Sequence, residues 1–187
     1  SAMTGVAVVN TEMAHRAVRW GLALTAALGE VLGGRAEAWH GAFADVRPHK
    51  RQGAAAQYLR DAVADSGWIN QDFLASRRIS DITEMTEAEA GQDAYTLRCA
   101  PQVIGAVWDT LDWHDSVAMT ELNAATDNPI FPGGDVLVLH GGNFMGQHVG
   151  LASDALGNAV CVLAGLAERQ MARLTDERLN RGLPAFL

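Results

Sequence analysis

The sequence predicts an all-α protein of long bundled helices that carries one small β-hairpin. Two observations point there. Apolar and small residues recur at helical spacing over residues 2–33 and again from Phe144 to about Leu174. Strand-like patterning is confined to residues 130–140, where Pro132-Gly133-Gly134-Asp135 reads as a turn before the β-type run Val136-Leu137-Val138-Leu139.

Taken in order, the first helix spans 2–33 and closes on Gly33-Gly34, a pair suited to a helix C-cap. Its alanines and scarcity of charge predict burial on more than one face. From Trp39 to Arg51 the chain turns, broken by Pro48. Gly53 to Ala64 reads as a second, shorter helix. Residues 65–91 are polar and acidic, with Glu84, Glu87 and Glu89, and form a long loop of the kind that serves function. Asp65-Ser66-Gly67 within it reads as a turn. A third helix runs from about Ala100 to Ala125 and stops at Asp127-Asn128-Pro129, because proline disfavours helical geometry in the residue before it. The last helix, from Phe144 to about Leu174, places Val149, Leu156, Val160, Leu163, Leu166 and Met171 at apolar positions. So long an apolar helix needs others around it, which implies a bundle and an oligomer.

Composition narrows the function. The chain has 187 residues and a formal charge of −8, and Arg47, Lys50 and Arg51 make only a short basic patch, so no nucleic-acid partner is expected. Cys99 and Cys161 sit in apolar helical contexts and read as reduced core thiols, which suggests a cytoplasmic protein. No uninterrupted apolar run reaches the roughly 18–20 residues of a membrane span, and no membrane partner is expected. His15, His40, His49, His114, His140 and His148 show no ligand spacing, so no metal is expected. Both ends of the sequence are apolar, as expected of a segment from a longer chain.

Three stretches carry chemistry. Gln92, Tyr95 and Arg98 are spaced by three, so a helical segment would align an amide, a phenol and a guanidinium. The arginine fork suits a carboxylate, and the tyrosine suits proton transfer. The competing reading is a helix start with a surface ion pair between Arg98 and Asp93. Asn123 through Pro129 is rich in turn-forming side chains. Gly141-Gly142-Asn143-Phe144 precedes a helix N-terminus and fits neither a dinucleotide fingerprint nor a phosphate loop.

In order, Gln92 through Gln102, Asn123 through Pro129, Gly141 through Phe144 and Gly182-Leu183-Pro184 resemble the motifs of the aromatic amino-acid ammonia-lyases and 2,3-aminomutases. The opening Ser1-Ala2-Met3-Thr4-Gly5 resembles the residues that come after the family's Asn-Gly-Thr segment, so the resemblance covers nearly the whole chain, 1–187, as a central helical segment. It implies a helical homotetramer with active sites shared between subunits. It also implies the electrophilic group 4-methylideneimidazol-5-one (MIO), formed from an Ala-Ser-Gly that this chain lacks. The remaining N- and C-terminal parts of the enzyme would supply that group and the base.

By the resemblance, Arg98 binds the carboxylate of an aromatic amino-acid substrate. Tyr95 contacts the amine or the electrophile, Gln92 and Asn128 hydrogen-bond around it, and Phe144 packs against it or the substrate ring. The Gly142–His148 run looks more like the tyrosine 2,3-aminomutases, which convert L-tyrosine to β-tyrosine through bound 4-hydroxycinnamate, than like histidine ammonia-lyases. The Pro48–Gln52 turn points the same way, differing from the Pro-His-Pro-Gln-like form of many lyases. A lyase for tyrosine, phenylalanine or histidine is the alternative, and a non-catalytic helical scaffold is the reading of another class.

Overall fold

A computed structural model describes residues 2–69 and 91–186. Its elements are α1 (Ala2–Val31), a 3-10 turn (Ala36–Trp39), α2 (Ala42–Val46), α3 (Lys50–Ala62), α4 (Tyr95–Arg98), α5 (Ala100–Leu122) and α6 (Gln147–Thr175). The acidic loop expected over 65–91 falls mostly outside the described residues. Its first part does turn, with Ser66 N–H donating to the Val63 carbonyl and Ser66 Oγ accepting from Trp68 N–H at 3.1 Å.

Four helices make the core. α5 is the central rod and packs on α1, α3 and α6. His114 in α5 lies 3.4 Å from Ser153 near the start of α6, whereas Gln170 near the end of α6 donates to the Thr96 carbonyl just before α5. Thus α6 runs antiparallel to α5. α1 is likewise antiparallel to α5, since Thr11 meets His114 and Gly21 faces Ile104. Ile104, Leu111 and Ala100 of α5 are fully buried, together with Leu59 and Ala55 of α3 and Ala152 of α6. Each large aliphatic chain so buried contributes roughly 1.5–3 kcal/mol. Arg51 of α3 grips Asp112 of α5 with two hydrogen bonds, 2.6 and 2.8 Å, and stacks 4.4 Å over the Trp108 ring. The hydrogen bond from Asp112 raises the arginine's pKa above its ordinary value. One of the three cations of the basic patch is therefore already neutralised within the fold.

Several elements differ from what the sequence suggests. No strand forms among the described residues. The expected hairpin over 130–140 reduces to two isolated bridges, Ile130 with Leu139 and Gly133 with Val136. Val136, Leu137, Val138 and Leu139 are all exposed, so among the described residues this short run has no sheet to join. α5 stops at Leu122, three residues early, and the Asn123 side chain donates to the Met119 carbonyl. α6 begins at Gln147 rather than Phe144, because Gly142 to Met145 closes a turn first. The first helix ends as its glycines predict. Gly33 takes φ +53° and Gly34 N–H reaches back to the Gly29 carbonyl at 2.7 Å.

α1 buries one face only, through Ala7, Ala14, Val18 and Leu22; Val6, Val9, Met13, Trp20 and Leu24 on its other side are apolar and exposed. α6 behaves alike: Val149, Leu156, Leu163 and Leu166 are buried, while Val160 and Met171 face outward. Cys161 is exposed and Cys99 half-buried, so neither is the core thiol its apolar neighbours suggest; both are free. By length and composition α6 is long and apolar enough to cross a membrane, with a mean hydropathy of 1.6 in its most apolar window. The core contacts of α6 with α5 and α1 account for its buried stripe.

Candidate active site

Tyr95 to Arg98 form the single turn α4, set between the loop 91–94 and the start of α5. Helical geometry puts Tyr95 and Arg98 on one side, and the Arg98 guanidinium stacks 4.5 Å over the Tyr95 ring. One arm of that guanidinium donates to the Gln92 side-chain oxygen. The three residues therefore assemble as their spacing predicts. Tyr95 is 70% exposed, so its phenol faces outward from this chain. Arg98 is half-buried, and its Nε lies buried without a hydrogen-bond partner among the described residues. A buried guanidinium N–H needs an acceptor, and an incoming carboxylate supplies one of the right charge.

Asp93 does not pair with Arg98. It precedes α4 and points the other way, to a buried position 7% exposed. Its Oδ2 accepts from Arg35 N–H at 2.6 Å and its Oδ1 from Arg181 Nη2 at 2.9 Å. Two further contacts hold the α4 turn in place. Trp39 Nε1 donates to the Leu97 carbonyl at 3.0 Å, and Gln170 Nε2 donates to both the Thr96 carbonyl, at 3.0 Å, and Thr25 Oγ1, at 2.9 Å. α1, α6 and the segment after each of them thus position the turn.

Asn128 and Phe144 occupy a second cluster, in the loop between α5 and α6. Asn128 Oδ1 accepts from Gly141 N–H at 2.7 Å, and Asn143 Nδ2 donates to the Ala125 carbonyl at 3.3 Å, tying the two ends of the loop together. The Asn128–Pro129 peptide bond is cis. Phe144 is 58% exposed. Asn128 spends its oxygen within the loop, and its NH2 has no partner among the described residues.

These two clusters sit at opposite ends of α5. That helix has 23 residues, so at 1.5 Å per residue it holds them roughly 34 Å apart. Gln92, Tyr95 and Arg98 come together; Asn128 and Phe144 share the other end; one chain does not join the two sets.

Sequence reasoning missed the residues that hold the first cluster: Asp93, Arg181, Trp39 and Gln170. Asp93 lies inside the motif and Arg181 stands next to Gly182-Leu183-Pro184, but only the fold reveals that they meet. A buried network at the far end was missed as well. His114, 1% exposed, has Nδ1 at 2.7 Å from Thr11 Oγ1 and Nε2 at 3.4 Å from Ser153 Oγ. Burial pushes its pKa below the ordinary histidine value, against an opposing pull from Asp115.

The family profile described as aromatic amino acid lyase matches residues 1–187. The chain is 61% identical to the tyrosine ammonia-lyase of Cereibacter sphaeroides, over all of this chain and 36% of that protein. It is 35% identical to a tyrosine 2,3-aminomutase from a Myxococcus species, again over all of this chain and 36% of that protein. Among solved structures, it is similar to the tyrosine aminomutase of Streptomyces globisporus, with a TM-score of 0.86 and 34% identity over 98% of this chain and 36% of that one. The chain thus spans about a third of the length of the relatives it matches.

Proposed function

Because this chain belongs to the aromatic amino acid lyase family, we propose that it forms the central part of an enzyme that removes ammonia from L-tyrosine, releasing 4-hydroxycinnamate. The observation that carries this choice is the 61% identity to a tyrosine ammonia-lyase, against 35% to a tyrosine 2,3-aminomutase. That reverses the order suggested by the Gly142–His148 run. The aminomutase remains the second reading, supported by the likeness to the Streptomyces globisporus enzyme.

The chemistry needs a better leaving group than an amine and a base for a weakly acidic β-proton. MIO, when bound, supplies the electrophile that activates the amine. The donor set here suits such a small flat polar group. The NH2 groups of Asn128 and Gln92 have no partner among the described residues and can donate, and the exposed Phe144 ring offers a face to pack on. No Ala-Ser-Gly occurs in the sequence, so the electrophile would come from residues outside these 187.

Arg98 would take the substrate carboxylate through its remaining N–H groups, while Gln92 holds one arm and the Tyr95 ring supports its plane. Pinning the carboxylate fixes the β-carbon relative to the base, which removes rotational freedom before the proton is abstracted. Tyr95 is placed one turn from Arg98, where its phenol would lie beside the amine.

A site drawing on both clusters would be composite. The roughly 34 Å between them along α5 is closed by bringing the Arg98 end of one subunit to the Asn128 end of another. The exposed apolar faces of α1 and α6 suit a helical oligomer, in keeping with a homotetramer. The free thiols agree with a cytoplasmic setting.

The test is product analysis of the full-length protein with L-tyrosine. 4-Hydroxycinnamate and ammonia without β-tyrosine support the lyase, and β-tyrosine would replace it with the aminomutase. Neither product, in a protein without near-ultraviolet absorbance from MIO, would leave only a scaffold.

A further inference from the structure

We propose that Asp93 and Arg181 are a positioning pair that sets Arg98 for the substrate carboxylate by fixing the backbone on which Gln92 rides. This rests on the reading of Arg98 as the carboxylate-binding residue.

The Asp93 side chain is 3% exposed and Arg181 is 52% exposed. A carboxylate so deeply buried must be fully paired, and both oxygens are: one takes Arg181, the other the backbone N–H of Arg35. Arg181 also donates to the carbonyl of Leu32, one of those that a helix C-terminus leaves without a partner, and to that of Gly33 just past the helix end. The Arg35 guanidinium donates to the Gly91 carbonyl. Gly91 and Asp93, the residues on either side of Gln92, are thereby tied to the end of α1. Gln92 in turn accepts from an arm of the Arg98 guanidinium. The connection runs unbroken from Arg181 through Asp93 and Gln92 to Arg98.

The backbone of Arg181 carries a second sign. Its φ is +61°, a left-handed conformation that a side-chain-bearing residue seldom adopts. Such a conformation persists where its surroundings over-determine it. Here the guanidinium bridges two helix-end carbonyls and a buried carboxylate, and lysine has no fork that reaches all three.

The experiment uses the full-length enzyme and two ligands that share a ring: 4-hydroxycinnamate, and 4-hydroxystyrene, which lacks the carboxylate. Dissociation constants are measured for the parent enzyme, Arg98→Lys and Arg181→Gln. Arg98→Lys is expected to weaken the acid by about a hundredfold and Arg181→Gln by about tenfold, both leaving the styrene within about twofold. A merely structural role would weaken both ligands together, so equal losses, or no loss, in Arg181→Gln would overturn the pair while leaving Arg98 in place. An acid affinity unchanged in Arg98→Lys would instead overturn the reading of Arg98, and the pair with it. Should Arg181→Gln not accumulate as folded enzyme, Arg181→Lys, which keeps the charge but not the fork, is read the same way.

Discussion

Gly105→Ala tests how closely α3 clamps the central rod. A Cβ built on Gly105 would stand 2.5 Å from both Cα and N of Gln52 and 2.9 Å from the Arg51 carbonyl carbon. These are backbone atoms, so no side chain can rotate away. Ordinary carbon contact is about 3.5–4.0 Å, so α3 and α5 must part by roughly 1 Å, which strips contact from every buried side chain along the seam. Ala55 and Leu59 on α3 have no exposed surface to relax into. Overpacking of this kind costs about 1–3 kcal/mol and sometimes more. Alanine returns up to about 1 kcal/mol through its better helix propensity. The net expectation is a loss of about 1–2 kcal/mol, seen as a melting temperature a few degrees below the parent's in the full-length protein. A variant that melts at or above the parent temperature would show that the two helices do not cross this closely.

Other substitutions report on the site and its supports. Arg98→Ala should raise the KM for L-tyrosine by about a hundredfold, since a charge-assisted pair in a closed site contributes about 2–5 kcal/mol; an unchanged KM would assign the arginine a structural role. Gln170→Leu removes the donor shared by Thr96 and Thr25 and should cost about 1–3 kcal/mol in a denaturation experiment, with no loss if that carbonyl finds another partner. His114 is held neutral, with its folded pKa depressed below 6.5 by burial. Its share of stability is complete above about pH 6.5 and is lost as pH falls toward the lower folded value, because the unfolded chain then binds the proton first. His114→Asn should therefore flatten the fall in melting temperature below pH 6.5, and an unchanged profile would locate the acid sensitivity elsewhere.

Much of this fold is legible in one dimension because helix periodicity is local. The long helices, the glycine stop after α1 and the Gln92–Tyr95–Arg98 alignment all come from spacing within a turn or two. The misreadings share a cause. The run Val136–Leu139 has strand chemistry, but a strand needs a neighbour, and among the described residues this segment finds two isolated bridges within its own loop. Cys161 lies among apolar residues, yet helix phase turns it outward, and phase shows only once the packing face of α6 is known. Asp93 and Arg98 are close in sequence, which suggests an ion pair that does not form. The true partner of Asp93, Arg181, stands 88 positions away, and nothing local announces a contact at that range. The separation of Arg98 from Asn128 is equally hidden, since the order of motifs along a chain says nothing about which end of a helix each occupies.

The claim that the active site is built from more than one copy can be tested by mixing. Arg98→Ala and Asn128→Ala forms of the full-length enzyme are co-expressed, and their turnover is measured at L-tyrosine concentrations well below the parent KM, where each form alone is at most a few per cent as active as the parent. If Arg98 and Asn128 meet across subunits, random assembly leaves about a quarter of the sites with both residues intact, and activity returns to about that fraction of the parent's. If each site draws both residues from one chain, no site is whole, and mixed oligomers that stay inactive would contradict the account.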